Sequence, residues 1–472
     1  MEYFALLTAA TVVIVALALV LFHRQRDLGM LAGIGALYYW SLLGAWYIVI
    51  DKTGGFSGKY YHYLEYKMFP IALDGNYLLT IVLYAGFIVA VELTLLALLP
   101  RRRERRRDDP RDAPLLLRHA PVLAVSFAAA LASVYIIQDK VSEAWALNTS
   151  AYWYTRSQTD EWFTVHQVLN RLALLPAAIG FSALIAGRQC RTFVNIRGRF
   201  TLAAYLVLLA GMGIFTFILG NKNEIFVALL TGILAYLGSV RKPNLLKAGA
   251  VLATGLWFLY AIDFFRSVPV TGLGQAINEH LEEATEVGRF LTSSNEAYAA
   301  HFSLYGVLHN DVQPKFGYSL YALVCSIVPR MVWPDRPRDI YLYYSESVGT
   351  IQNQGYSLHH ATGWYLNFGY PGVLLGGVVL GLVWSFCIRA RERIGPRSGL
   401  SRRVFATVAP WLLVAYLAPL VRAGPEGYKG FVVEGVLIPL FSLSLACRPK
   451  PVRSKAVWRF DAAVPIGHHP LP

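Results

Sequence analysis

The stretch that decides the fold is Gly75-Asn76-Tyr77-Leu78-Leu79-Thr80-Ile81-Val82-Leu83-Tyr84-Ala85-Gly86-Phe87-Ile88-Val89-Ala90-Val91-Glu92-Leu93-Thr94-Leu95-Leu96-Ala97-Leu98-Leu99. After Pro100 it gives way to Arg101-Arg102-Arg103-Glu104-Arg105-Arg106-Arg107. A membrane-spanning helix needs about 20 mostly apolar residues, and Glu92 is the single charge in this run. A basic heptapeptide alone suggests a nucleic-acid patch. Placed directly after such a run, it reads as an anchor holding the helix end on the inner side of a membrane. No nucleic acid is implied.

The rest of the chain agrees. Of 472 residues, 56% are apolar and 15% charged, against roughly 25% charged in a soluble domain. That excludes an ordinary soluble enzyme, a disordered chain and a disulfide-rich secreted scaffold. Cys190, Cys325, Cys387 and Cys447 form no CxxC pair, so neither a zinc site nor a disulfide framework is indicated. The reading is an all-α polytopic membrane protein with about eleven transmembrane helices. They are expected near 3–22, 28–50, 75–99, 120–137, 168–187, 201–219, 225–240, 248–265, 372–388, 404–421 and 431–446. The first run has no basic stretch before it and no small-residue cleavage site after it, so it is read as a retained helix.

Charge tests this count. With the N-terminus outside, the inner connections are 23–27, 101–119, 188–200, 241–247, 389–403 and the tail from 447. They hold 28 of the 43 Lys and Arg but only seven of the 29 acids, so the inner face carries +21 and the remainder −7. An N-out, C-in topology is therefore expected. Residues 1–265 would hold helices one to eight, and 372–446 helices nine to eleven. Residues 447–472 would form a basic cytoplasmic tail.

The outer loop 266–371 is too long for a simple connection and too aromatic to be disordered. It is expected to form a small folded helical cap between helices eight and nine. Leu281, Ala284, Val287, Phe290 and Leu291 recur at helical spacing in it. Its stretch 316–333 is too short to span and is expected as a re-entrant or interfacial helix.

Charges at membrane depth are costly and default to functional candidates. Here they gather at outer helix ends: Arg171, Lys222, Glu224, Asp263, Arg266, Arg422, Glu426 and Lys429. Each alone reads equally as a snorkelling or capping residue. Several basic groups converging on the less basic face point to an anionic ligand such as a phosphate or diphosphate. The cap adds Arg289, Arg330, Arg336 and Arg338, with His301, His309, His359 and His360. A histidine there can accept a proton near neutral pH; the plain alternative is a packed or surface imidazole. No metal-binding spacing, P-loop or GxSxG occurs, and no cofactor is indicated.

Four segments carry a resemblance. They are Gly220-Asn221-Lys222-Asn223-Glu224, Gly317-Tyr318-Ser319-Leu320, Val328-Pro329-Arg330-Met331-Val332-Trp333-Pro334-Asp335-Arg336-Pro337 and Tyr365-Leu366-Asn367-Phe368-Gly369-Tyr370-Pro371-Gly372. With Leu420-Val421-Arg422-Ala423-Gly424, they make residues 210–435 resemble the Wzy-type oligosaccharide repeat-unit polymerases of O-antigen and exopolysaccharide synthesis. That resemblance implies a multi-pass enzyme of the bacterial inner membrane acting on its outer face. It would transfer a glycan from undecaprenyl diphosphate to another lipid-linked repeat unit, without a metal. Arg266, Arg422 and Lys222 would hold the diphosphate, with Arg330, Arg338 and Arg289 from the cap. Glu224, Glu296 and Glu426 would support them. His360 or His359 would be the base, with Glu296 or Glu346 as the alternative. Lys222 departs from the arginine that many relatives carry, and the His pair stands where many have a carboxylate. Arg338 and Gly349 fit an Arg-x10-Gly pattern. A flippase and a chain-length regulator of the same pathway are implied partners. An O-antigen-ligase-like enzyme, a GT-C transferase and a non-enzymatic flippase or transporter remain as alternatives.

Overall fold

The computed structural model describes residues 1–54, 71–100, 114–157, 161–240, 243–285, 296–328, 332–350, 357–394 and 398–449. Apolar runs become helices wherever the sequence supplies enough of them, and local caps set the ends. Helix α1 (Glu2–Gln25) stops at Arg26, which takes a left-handed conformation (φ 49°). Asp27 then accepts the Gly29 N–H at 2.8 Å and starts α2 (Leu28–Ile50). Asp74 accepts the Tyr77 N–H at 2.8 Å and starts α3 (Gly75–Leu98). Each cap satisfies a first-turn donor that otherwise has no partner.

The chain continues through α4 (His119–Ala146), the short α5 (Ala151–Ser157), α6 (Glu161–Ala186), α7 (Thr201–Ile218), α8 (Lys222–Ser239) and α9 (Leu245–Phe265). After α10 (Leu273–Thr285), α11 (Glu296–His309), α12 (Tyr318–Cys325) and α13 (Ile340–Val348) come α14 (His360–Glu392), α15 (Leu400–Val421) and α16 (Gly427–Ala446). Among the described residues, nine helices are long and apolar enough to cross a membrane: α1, α2, α3, α4, α6, α7, α14, α15 and α16. The chain is an all-α polytopic membrane protein. The two remaining expected spans, 225–240 and 248–265, are also helices. However, α8 opens on Lys222 and Glu224, and the apolar part of α9 is Leu245–Leu259.

Two boundaries differ most from expectation. Helix α4 runs to Ala146, nine residues beyond 137. Helix α14 begins at His360, twelve residues before 372. Its interior breaks at Gly369 (φ 67°, ψ −149°) beside Pro371, a conformation open to glycine alone. In the sequence this break resembles a loop, whereas in space it is a kink between two helical segments.

Helix α14 packs along α3 through small residues: a Cβ on Gly377 would come within 2.5 Å of the Phe87 carbonyl, and one on Gly381 within 2.7 Å of Thr94. Such close approach is how apolar helices gain contact in lipid. At the basic end, β1 (Leu115–Arg118) pairs in parallel with β2 (Phe193–Ile196) and antiparallel with β3 (Cys447–Pro449). His119 lies within hydrogen-bonding distance of Tyr205 (3.0 Å) and Asn195 (3.2 Å), tying this small sheet to α7.

Of the expected helix in 316–333, α12 covers eight residues, about 12 Å, far short of a span. Asn367 holds it in place: its carbonyl accepts the Ser319 N–H at 2.9 Å, and its amide donates to the Gly363 carbonyl at 2.6 Å. Phe316, Tyr321, Val324 and Ile327 stay exposed around it.

Candidate functional site

The site is built around the turn 220–224. Gly220 takes a left-handed conformation (φ 67°), and a Cβ there would meet the Cβ atoms of Arg266 and Tyr152 within 3 Å. The chain reverses tightly and launches α8 at Lys222. Asn221, in the capping position, makes no side-chain cap bond. The first-turn N–H groups therefore open this helix without a side-chain cap, with Lys222 as its first residue, an arrangement suited to an anion.

Glu224, on the inward side of that turn, is buried. Its carboxylate takes two bonds from Arg171, Nε to Oε2 at 2.8 Å and Nη2 to Oε1 at 3.0 Å. Arg171 also pairs with Glu434, and its guanidinium lies 5.5 Å from the Tyr416 ring centre. Asn223 faces the other way and accepts from Arg422 Nη1 at 3.1 Å. Arg422 Nε donates to Ser357 Oγ at 2.9 Å, and the guanidinium stacks 5.2 Å from the Trp40 ring centre. Three arginines thus surround one turn: Arg171 beneath it, Arg422 on one flank and Arg266 behind Gly220. The Arg266 guanidinium lies 5.2 Å from the Tyr152 ring centre, and its carbonyl accepts from Ser150 Oγ.

The histidines sit beside this turn but inside the protein. His359 caps α14: Ala361 N–H donates to its Nδ1 at 3.1 Å, so the ring proton is on Nε2, which donates to Ser41 Oγ at 3.0 Å. Burial, with His360 and His301 nearby, holds its pKa well below the ordinary value. His360 Nε2 accepts from Trp364 Nε1 at 3.0 Å, leaving Nδ1–H to donate to the Ala423 carbonyl at 2.9 Å. Tyr428 Oη lies 3.3 Å from the same Nε2. Both rings are fully buried and their nitrogens are engaged. Each imidazole, expected from the sequence as the base, here spends its lone pair on a donor of its own fold and holds the α14 N-terminus. Around them, His301 donates Nδ1–H to the Ser41 carbonyl at 2.6 Å, and Tyr84 bonds the Ala300 carbonyl at 3.0 Å.

Glu426 is placed differently. It lies in the turn after Arg422 and accepts the Ile340 N–H at 3.0 Å, which fastens the start of α13 to that turn. Burial pushes its pKa up to about 7; the backbone donors at Ile340 and Glu426 pull the other way, and Asp339 adds to the rise. It is only half-buried by surface exposure, so the carboxyl is desolvated yet reachable. Arg338, two residues before Ile340, is exposed. Glu296 opens α11. Arg289 and Arg330 lie outside the described residues.

The structure thus brings Lys222, Glu224, Arg266, Arg422, Glu426, His359 and His360 to one end of the bundle. Sequence reading missed Glu434, because it falls within the apolar run 431–446; a carboxylate inside such a run was the available signal. It also missed Asn223, Ser357 and Trp40 as partners of Arg422, for which the sequence held no sign. Among the described residues, no group of three His, Cys, Asp or Glu is placed to hold a metal ion.

Comparison with protein-family models, with curated proteins and with solved structures gives no match.

Proposed function

We propose that the chain is a membrane glycosyltransferase that polymerises lipid-linked oligosaccharides, using a polyprenyl diphosphate as leaving group. One observation carries the reading: Lys222, an uncapped helix N-terminus and Arg422 converge on one turn at the end of the bundle opposite the basic connections. The same opposition of charge supports an N-out, C-in topology, with the site on the outer face of a bacterial inner membrane.

In the proposed reaction, the acceptor hydroxyl oxygen attacks the anomeric carbon of the donor. The bond from that carbon to the diphosphate oxygen breaks, and polyprenyl diphosphate departs with the electron pair. Arg422, Lys222 and the α8 N–H groups meet the charge that grows on the diphosphate. Arg266 braces the turn from behind. Glu426 takes the acceptor proton, since a carboxyl with a pKa of about 7 is half ionised at neutral pH and still basic enough to be useful. His359 and His360 position the α14 N-terminus and, through Ala423, the turn that carries Arg422 and Glu426. The sheltered Arg171–Glu224–Glu434 cluster keeps α6, α8 and α16 in register beneath.

The test is a purified protein given a synthetic undecaprenyl-diphosphate-linked repeat unit. A ladder of longer glycans with release of undecaprenyl diphosphate is expected. Transfer to a lipid A core acceptor alone would indicate a ligase, and movement of intact lipid-linked sugar across vesicles without a new glycosidic bond would indicate a flippase.

A further inference from the structure

A different feature lies at the opposite, basic end of the bundle. Helices α6, α7, α8 and α9 leave a slot of about 430 Å3 between them. Phe181, Leu209, Leu229, Ile233 and Val251 form its walls. Gly213, Ala228, Gly232 and Ala248 keep it open. Along α8 the lining runs from Ile225 to Tyr236, about 16 Å at 1.5 Å per residue. One leaflet of a roughly 30 Å hydrocarbon core is about 15 Å deep. The one hydroxyl in the middle of the wall is already used, since Ser182 Oγ donates to the Gly232 carbonyl at 2.7 Å. The interior therefore offers an occupant little besides apolar contact.

At one end the lining changes character, with Tyr236 and Lys247 at the mouth. Asn244 caps the Lys247 backbone N–H at 3.0 Å and fixes the start of α9, while the lysine side chain stays exposed. The connection after α6 is fastened to the same end: Arg191 N–H donates to the Ser239 carbonyl at 2.8 Å, and Cys190 bridges Val240. This holds the exposed Arg188 and Arg191 near the end of α8. An apolar slot one leaflet deep thus ends in a cluster of cations.

We propose that this slot holds one acyl chain of an anionic phospholipid, with the lipid phosphate against Lys247 and the two arginines as its outer field. Basic pockets between spanning helices select anionic headgroups in this way, and the proposal does not depend on the reading of the other end. The lipid would brace α8 against α9.

The experiment is native mass spectrometry of the detergent-purified full chain, titrated with dioleoyl phosphatidylglycerol or dioleoyl phosphatidylcholine. Wild type should retain the glycerol lipid preferentially. Lys247→Ala should weaken that lipid about fivefold, as expected for one surface cation, and leave the choline lipid unchanged. Gly213→Phe should lower retention of both, because a Cβ at Gly213 meets no protein atom within 4 Å and the ring would grow into the slot. Lys247 is exposed, so its variant decides the matter even if Gly213→Phe does not fold. Equal retention of the two lipids by wild type overturns the proposal. So does undiminished phosphatidylglycerol binding in Lys247→Ala, its displacement by undecaprenyl phosphate, or a co-purifying single-span protein in its place.

Discussion

The turn carrying Arg422 and Glu426 and the junction carrying His359 and His360 are joined directly, His360 Nδ1–H to the Ala423 carbonyl at 2.9 Å. They hold equally suggestive residue types but differ in how their valences are spent. In the junction both imidazoles are buried and each donates and accepts within the fold. In the turn, Arg422 divides its donors between Ser357 and Asn223, and Glu426 is desolvated yet only half-buried. The proposed reaction therefore assigns its chemistry to the turn and the holding of the fold to the junction.

The sharpest way to break this contrast is at Glu426. Glu426→Gln removes the proposed proton acceptor but keeps the acceptor oxygen for Ile340 N–H, so turnover should fall about 10²–10⁴-fold with little change in melting temperature. The pH profile adds a sign. A base works in its ionised form, and burial raises this one to about 7. The wild-type rate should therefore drop as pH falls below about 7, and the residual rate of Glu426→Gln should lose that limb. A retained limb would move the base elsewhere.

Arg422→Ala comes next, with a loss of about 10²–10³-fold in transfer, the scale seen when one preorganised donor to developing charge is deleted. Arg422→Lys should recover only part, because a point charge cannot bond Ser357 and Asn223 together. Full activity in both variants would remove Arg422 from the site.

Arg171→Met tests stability instead of turnover. It leaves Glu224 buried without its bidentate partner, which should cost about 3–5 kcal/mol and show as a lower melting temperature in detergent. A melting temperature equal to wild type would mean that the cluster does not bind α6 to α8.

The smallest effect is expected at His359. His359→Ala deletes a helix cap and strands Ser41, a cost of about 1–3 kcal/mol, while the rate should stay within about tenfold of wild type. A thousandfold loss of rate with unchanged melting would give the base role to this histidine and dissolve the contrast.

The spans were legible because hydropathy and length are local properties, and α1, α3 and α15 lie close to where the apolar runs placed them. The start of α14 was not, since Gly369 and Pro371 look alike in a loop and in a kink. The gathering of charge at one set of helix ends was legible too. What each charge does was not, because Arg171 meets a partner 53 residues away and Arg422 one 199 away. Asn367 drew notice as part of a family-like segment, yet its bonds to Ser319 and Gly363 give it a structural task that only three dimensions reveal.

The three-stranded sheet has a consequence for how the chain is made. Its middle strand β1 is flanked by β2 and β3, and Arg118 at the end of β1 reaches the Ala446 carbonyl 328 residues later. At about 5–20 residues per second of synthesis, β1 exists for roughly 16–66 s before its last neighbour is translated. Until then its edge is open, and the foot of α4 is held from one side only. The basic end of the bundle therefore closes last, after the final helix has been threaded. A ribosome stalled before Cys447 would leave a protein whose helices are inserted but whose base is still unlatched.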